Sequence, residues 1–216
     1  MIAELEPAGR NSILRVTVTN DGDRDTPYEV LMLKGEITPD GELLTTPADD
    51  QFLVFPTQTV VEARSQQVFR VQYIGDPELV QSEVYYMGIR QVPVASEDMA
   101  AQVQLVVNYN VLINVVPRNS VAQPSATGMQ AAMREDVAGI EFVAGNEGTR
   151  FYNAGLSEWT IAGKTIDGED YEVSYDRGEL SRAVGVGVVA PGRTRNFFIP
   201  TEVPLQPETV QIEIRP

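Results

Sequence analysis

The sequence predicts an all-β protein made of two β-sandwich domains, and two features of the chain indicate this fold class. Short runs rich in β-branched and aromatic residues alternate with turns that contain Gly, Asn, Asp or Pro, which is the pattern of a sandwich. One polar, proline-containing segment at 117–128, PRNSVAQPSATG, interrupts the pattern and is typical of a domain boundary. We therefore expect a first domain over 1–118, a linker over 119–127 and a second domain over 128–216.

Six apolar runs of the first half have the composition of strands. They are SILRVTVTN (12–20), YEVLMLKGEI (28–37), FLVF (52–55), QVFRVQYIG (67–75), VYYMGIRQV (84–92) and QVQLVVNYNVLINVV (102–116). The last run alternates for ten residues, whereas a common strand has about 5–6. Its apolar face carries Val103, Leu105, Val107, Tyr109 and Val111. A small domain does not need all of this strand for its own core.

The strand pattern restarts after the linker. Its runs are AGIEFVAGNEG, TRFYNAG, LSEWTIAGK, DYEVSY, AVGVGVVAPG, RTRNFFIP and VQIEIRP. Both halves contain an apolar strand followed by a turn with Asn and Gly, VTVTNDGD at 16–23 and FVAGNEGT at 142–149, which indicates two domains of related architecture. Only GMQAAMRED at 128–136 has a pattern compatible with a helical turn or two.

Composition excludes several classes of function. With 31 acidic and 16 basic residues the chain carries a formal charge of −15, which repels nucleic acid and anionic membrane surfaces and favours a basic partner. The chain has no Cys and no His, so disulfides, thiolate metal sites and Ser-His-Asp or Cys-His mechanisms are excluded. It also lacks an apolar run of about 18 residues, the length that crosses a bilayer.

Three stretches resemble sites of chemistry, and each has a simpler structural interpretation. AGKT at 162–165 resembles the end of a phosphate-binding loop, but Glu158 stands where that motif requires Gly. DGDRD at 21–25 spaces three carboxylates as a calcium loop does, but Thr26 occupies the required Gly position. GVGVVAPG at 185–192 joins strand to strand, whereas a dinucleotide fingerprint joins strand to helix. We therefore expect no catalytic residue, no metal site and no cofactor.

The order and spacing of several motifs resemble the PapD-like periplasmic pilus chaperones. FLVFPTQTVVEARSQQVFRV at 52–71 resembles the family pattern FxVxPxxxxVxPxxxQxxRV, and YYMGIRQVP at 85–93 resembles YYxxIxQxP. In the second half, 139–159 resembles LxVxNxGxxxxxLxxL and 188–200 resembles LPGxxRxxxLP. NYNVLINVVP at 108–117 resembles the RYxIPVFVxP pattern of the archaic, or alternative, branch more than the KLFYRP of the best-known members. The resemblance covers essentially the whole chain.

This resemblance implies an L-shaped pair of Ig-like sandwiches and a use for the long strand. Chaperones of the family donate the last strand of their first domain to a pilus subunit whose own Ig-like fold lacks one. Carried over to this sequence, the donor residues are Val103, Leu105 and Val107, with Tyr109 and Val111 extending the row. Periodicity alone favours the alternative that this face completes the protein's own core. The resemblance favours donation for 103–107, and we expect 111–116 to belong to the core.

The resemblance leaves the anchor for the subunit's terminal carboxylate unassigned. Better-known members use an Arg of the first strand and a Lys of the donor strand, which together offset the desolvation of the anion. Here Leu112 occupies the Lys position, and the Arg position falls near Ile2 or upstream of it. Arg90 and Arg15 are alternative basic groups, each equally compatible with an exposed sheet residue.

Two functions remain open from the sequence. The first is a non-enzymatic chaperone that binds pilus or surface-fibre subunits by donor-strand complementation and delivers them to an outer-membrane usher. The second is a structural or adhesive component of a surface assembly. The chaperone interpretation predicts a periplasmic protein with a removed signal peptide, further strand residues upstream of Met1, and self-association through the exposed donor strand. Neither nucleic acid nor membrane insertion is expected.

Overall fold

The structure, a computed structural model, describes residues 1–93 and 106–216. Within these ranges it has seventeen strands, one four-residue helix, α1 (Ser181–Val184), and four short 3-10 turns. The chain divides into two compact units. Unit 1 comprises Met1–Gly35, Thr45–Leu79 and Glu83–Arg118, and unit 2 comprises Glu36–Leu44, Val80–Ser82 and Asn119–Pro216. The prediction of an all-β protein is confirmed.

The first nine strands form the two sheets of the first sandwich. They are β1 (Ile2–Leu5), β2 (Ile13–Asn20), β3 (Thr26–Ile37), β4 (Leu43–Pro47), β5 (Phe52–Phe55), β6 (Gln58–Val61), β7 (Ser65–Tyr73), β8 (Glu83–Gln91) and β9 (Asn108–Val115). One sheet has the order β1-β9-β8-β3-β4, with β6 also paired to β3, and the other has the order β2-β7-β5. Two 3-10 turns, Arg10–Ser12 and Asp49–Gln51, lie between strands.

Alternating side chains of both sheets build the core of unit 1. In β2, Val16 and Val18 are buried while Thr17 is exposed, because successive side chains of a strand point to opposite faces. At one end of this core Phe52 packs edge to face against Tyr85, with ring centroids 4.9 Å apart. The Tyr85 hydroxyl bonds to Gln51, and burial raises its pKa above the usual value.

The remaining strands form the second sandwich. They are β10 (Pro124–Arg134), β11 (Val137–Asn146), β12 (Tyr152–Asn153), β13 (Glu158–Lys164), β14 (Asp170–Tyr175), β15 (Val188–Val189), β16 (Thr194–Pro200) and β17 (Gln211–Arg215). The sheets are β10-β11-β16 and β14-β13-β17, with a two-stranded β12-β15 pair. The other 3-10 turns are Ala154–Leu156 and Pro207–Thr209. Trp159 packs edge to face against both Phe142 and Phe197, and its indole N–H donates to the Ala154 carbonyl at 2.7 Å.

The two Asn- and Gly-containing turns that the sequence relates form the same corner. Asn20 is buried, and its side-chain N–H groups donate to the carbonyls of Arg24 at 2.8 Å and Val61 at 3.0 Å. Its side-chain oxygen accepts the Gly22 N–H at 3.1 Å. The equivalent partners of Asn146, at the same three distances, are Arg150, Val189 and Gly148. Each Asn therefore ties a strand end to a distant strand of its own sandwich.

The helical interpretation of 128–136 is wrong. Residues 124–134 form β10, which pairs with β11, and the register shifts between Thr127 and Gln130 beside Gly128, whose φ is +67°. This bulge displaces the alternation of side chains, and the pairing with β11 overrides the weak helical pattern. Residues 124–127 of the predicted linker are therefore part of a strand. Among the described residues, no helix is long and apolar enough to cross a bilayer.

Candidate functional site

The strand β9 lies between two neighbours that cover different lengths of it. On one side β8 pairs with all of β9, from Asn108 to Val115. On the other side β1 pairs in parallel with Leu112 to Val115 only, beginning with Ile2 opposite Leu112. In the described part of the chain, the edge from Asn108 to Val111 therefore has no partner strand. Main-chain N–H and C=O groups at such an edge can accept a further strand.

The side chains on the apolar face of β9 pass from the core to the surface. Val115 and Ile113 are fully buried, Val111 is 6% exposed, and Tyr109 is 47% exposed. Val111 thus belongs to the core of unit 1, as expected for 111–116. It faces the space between the two sheets, so it is not part of an exposed donor row.

Tyr109 lies at the border between core and surface. Its register partner on β8 is Ile89, which is buried. The pKa of Tyr28 is raised, first by burial and then by the charge of Tyr109, so the two phenols are close enough to interact. Tyr109 is therefore a partly packed, half-exposed ring at this edge.

The chain before Asn108 leaves the ladder of β9. Val106 is 38% exposed, Val107 is partly exposed, and neither belongs to a strand. The Val107 N–H donates to the side-chain oxygen of Gln91 at 3.2 Å. The other predicted donor residues, Val103 and Leu105, lie outside the described residues.

The opposite face of β9 contains the positions implied for a carboxylate anchor. Leu112 is 7% exposed and lies opposite Ile2, so two apolar residues occupy the place implied for two basic ones. Arg90 is exposed on β8 opposite Asn108. Arg15 is exposed on β2, in the sheet that does not contain β9. Arg90 and Arg15 therefore lie in different sheets. We assign no anchor for the subunit's carboxylate.

The stretches that resemble sites of chemistry take part in ordinary structural contacts. Lys164 ends β13 and forms an ion pair with Asp170 at 2.8 Å, which lowers the pKa of that carboxyl. In the 21–25 turn, Asp23 pairs with Arg64, and Asp25 accepts a main-chain N–H. Within the described residues, no cluster of three or more acidic side chains has a geometry that would hold a metal ion.

Comparisons with known proteins relate the whole chain to one fold. Residues 7–121 match the family model described as pili and flagellar-assembly chaperone, PapD N-terminal domain. No curated protein matches the sequence.

Solved structures of similar fold include the class 5 fimbriae chaperone CfaA, with 14% identity, a TM-score of 0.57 and coverage of 99% of this chain and 95% of that one. A second is the CsuC–CsuE pre-assembly complex from archaic chaperone-usher Csu pili of Acinetobacter baumannii, with 13% identity, a TM-score of 0.54 and coverage of 92% and 87%. A third is the Salmonella enterica SafA pilin in complex with the SafB chaperone, with 14% identity, a TM-score of 0.53 and coverage of 99% and 91%. At these identities the likeness establishes the fold, two Ig-like domains.

Proposed function

The chain belongs to the family of pili and flagellar-assembly chaperones, and we propose that it binds pilus or surface-fibre subunits by donating the N-terminal part of β9 and the segment before it. The observation that carries this proposal is the apolar face of β9, which passes from the buried Val111 to the half-exposed Tyr109 and the partly exposed Val107. Tyr109 and Val107 are the described members of the apolar donor row.

Strand addition gives partners both to the main-chain groups of the donated segment and to its apolar side chains. Main-chain N–H and C=O groups gain a ladder of hydrogen bonds, each contributing about 0.5–1.5 kcal/mol. The side chains of Val103, Leu105 and Val107 enter a groove of the subunit, each contributing roughly 1.5–3 kcal/mol when fully removed from water. Tyr109 extends this row toward the protein's own core. Without a subunit, two such edges are expected to pair with each other.

The proposed partners follow from the structural relatives. The CsuC–CsuE complex joins a chaperone to a tip subunit, and the SafA–SafB complex joins one to a pilin, which supports a subunit of that class as the client. The same proposal includes delivery of the subunit to an outer-membrane usher and location of the protein in the periplasm. A periplasmic protein is exported, so we expect its natural gene to encode a signal peptide. Localisation of the native protein to the cytosol would contradict this.

The decisive experiment separates subunit binding from folding. Leu105→Glu would place an unpaired carboxylate in an apolar groove, so binding of a pilus subunit that co-purifies with the unaltered protein should fall at least roughly a hundredfold. The melting temperature should move by only about 2–4 °C, as for a mild surface change. Gln104→Glu, on the other face, is the matched control and should affect binding much less. If Leu105→Glu unfolds the free protein, the residue belongs to the protein's own core and the donor assignment is wrong.

A further inference from the structure

We infer that Gln91 is a positioning residue for strand donation, because its side chain holds the main chain of Val107 where the donor segment leaves the sheet. The inference rests on the proposed function and adds to it the contact that sets which residues of the donor segment face the subunit. Gln91 itself lies on β8 and is not part of the donor segment.

The main-chain ladder between β8 and β9 ends one residue before this contact. Its last pair is Arg90 with Asn108, so a continued ladder would pair Gln91 with Val107. On its other side, Gln91 pairs with Tyr28 of β3. Instead, the side-chain oxygen of Gln91 accepts the Val107 N–H at 3.2 Å.

The chain beyond Gln91 turns toward β3 and away from the donor segment. The Val92 N–H donates to the Pro27 carbonyl at 2.9 Å, and Pro93 has no N–H to offer to a ladder. β8 therefore ends at Gln91. Without the Gln91 side chain, the Val107 N–H would have no hydrogen-bond partner among the described residues.

Holding Val107 in place decides which face the donor segment presents. Val107 is covalently joined to β9, so the face changes only if one extra residue bulges out there, which moves every preceding side chain to the opposite face. By sequence alternation Val107 belongs to the row of Tyr109, and the preceding members of that row are Leu105 and Val103. A one-residue shift would present Gln104 and Gln102 in their place, and two amides do not fill an apolar groove. The Gln91 contact favours the apolar register before a subunit arrives, which reduces the ordering cost of binding.

Three variants test this role. Gln91→Met keeps an unbranched side chain of similar length and removes the oxygen acceptor. Gln91→Glu keeps an acceptor oxygen and should restore the contact. Gln66→Met makes the same chemical change at an exposed residue of β7 in the other sheet and serves as the control. The measurements are amide hydrogen exchange at Val107 in the free protein and affinity for a pilus subunit that co-purifies with the unaltered protein.

We expect Gln91→Met to accelerate exchange at Val107 by about two- to tenfold and to weaken subunit binding by a similar factor, as the loss of one hydrogen bond predicts. Gln91→Glu and Gln66→Met should stay within about twofold of the unaltered protein in both measurements. Unchanged exchange at Val107 or unchanged affinity in Gln91→Met overturns the positioning role. If Gln91→Glu weakens binding as much as Gln91→Met does, the positioning role is also overturned, because an acceptor oxygen at this position then makes no difference.

The Leu105→Glu variant distinguishes failure of this inference from failure of the proposed function. If Leu105→Glu abolishes binding while Gln91→Met binds normally, strand donation stands and only the role of Gln91 is lost. If both variants bind normally, strand donation itself is wrong, and the positioning role falls with it.

Discussion

The two halves of β9 differ in their surroundings although they belong to one strand. Asn108–Asn110 are exposed, whereas every residue from Val111 to Val115 is buried. β8 accompanies both halves, but β1 pairs only from Leu112 onward. Packing in the core of unit 1, and not the alternation of the strand itself, therefore separates the core half of β9 from its exposed, open half.

Under the proposed function, this difference would allow one strand to serve both the fold and a partner. The C-terminal half is held by the packing of Ile113 and Val115 in the core of unit 1. The N-terminal half continues the same apolar face beyond that core, where Tyr109 is half-exposed. Because the strand is held at one end, its open end is ordered before binding, and a subunit does not have to supply that order. The following predictions test this division, from the largest expected effect to the smallest.

Ile113→Ala should have the largest effect, and that effect should be on stability. Ile113 is fully buried in the core of unit 1, and truncation of a buried Ile to Ala costs about 2–5 kcal/mol. Urea denaturation of the free protein measures the change in the free energy of unfolding. A loss below about 1 kcal/mol would show that the C-terminal half of β9 is not held in the core as described.

Tyr109→Ala should affect binding more than stability. The ring is half-exposed in the free protein, so its removal should lower the free energy of unfolding by only about 1 kcal/mol. Burial of the remaining ring surface against a subunit predicts an affinity loss of about tenfold. Binding and denaturation are measured on the same preparation. A stability loss as large as that of Ile113→Ala, with unchanged affinity, would show that Tyr109 belongs to the core half of β9 and not to its open half.

Asn110→Thr should have the smallest effect. Asn110 is exposed on the face of β9 opposite Tyr109, and Thr is well accommodated in strands. The free energy of unfolding should change by less than about 0.5 kcal/mol and the affinity for a subunit by less than about twofold. A strong loss of affinity would mean that the subunit contacts both faces of the open half. The face of Tyr109 would then not be the sole contact surface.

The strand pattern, the two sandwiches and the paired Asn corners could be predicted from the sequence. Each depends on signals among neighbouring residues: Val16 and Val18 alternate with polar residues, and Asn20 and Asn146 stand in similar local sequences. The family was also accessible, because its motifs occur in order along the chain, and the match of 7–121 confirms it. The same local signals were ambiguous for β10, where a bulge at Gly128 breaks the alternation.

Local periodicity left open which part of β9 is covered, and the tertiary structure decided it in agreement with the core expected for 111–116. Val107 and Val111 are the same residue type in one sequence alternation, which does not distinguish the partly exposed Val107 from the buried Val111. The distinction comes from the partners of Val111 in the core of unit 1, whereas the ladder between β8 and β9 ends before Val107. These partners are distant along the chain, so no local periodicity encodes them. The alternation of neighbouring residues determines which face of a strand is apolar. Whether that face is buried depends on which distant segments of the chain pack against it.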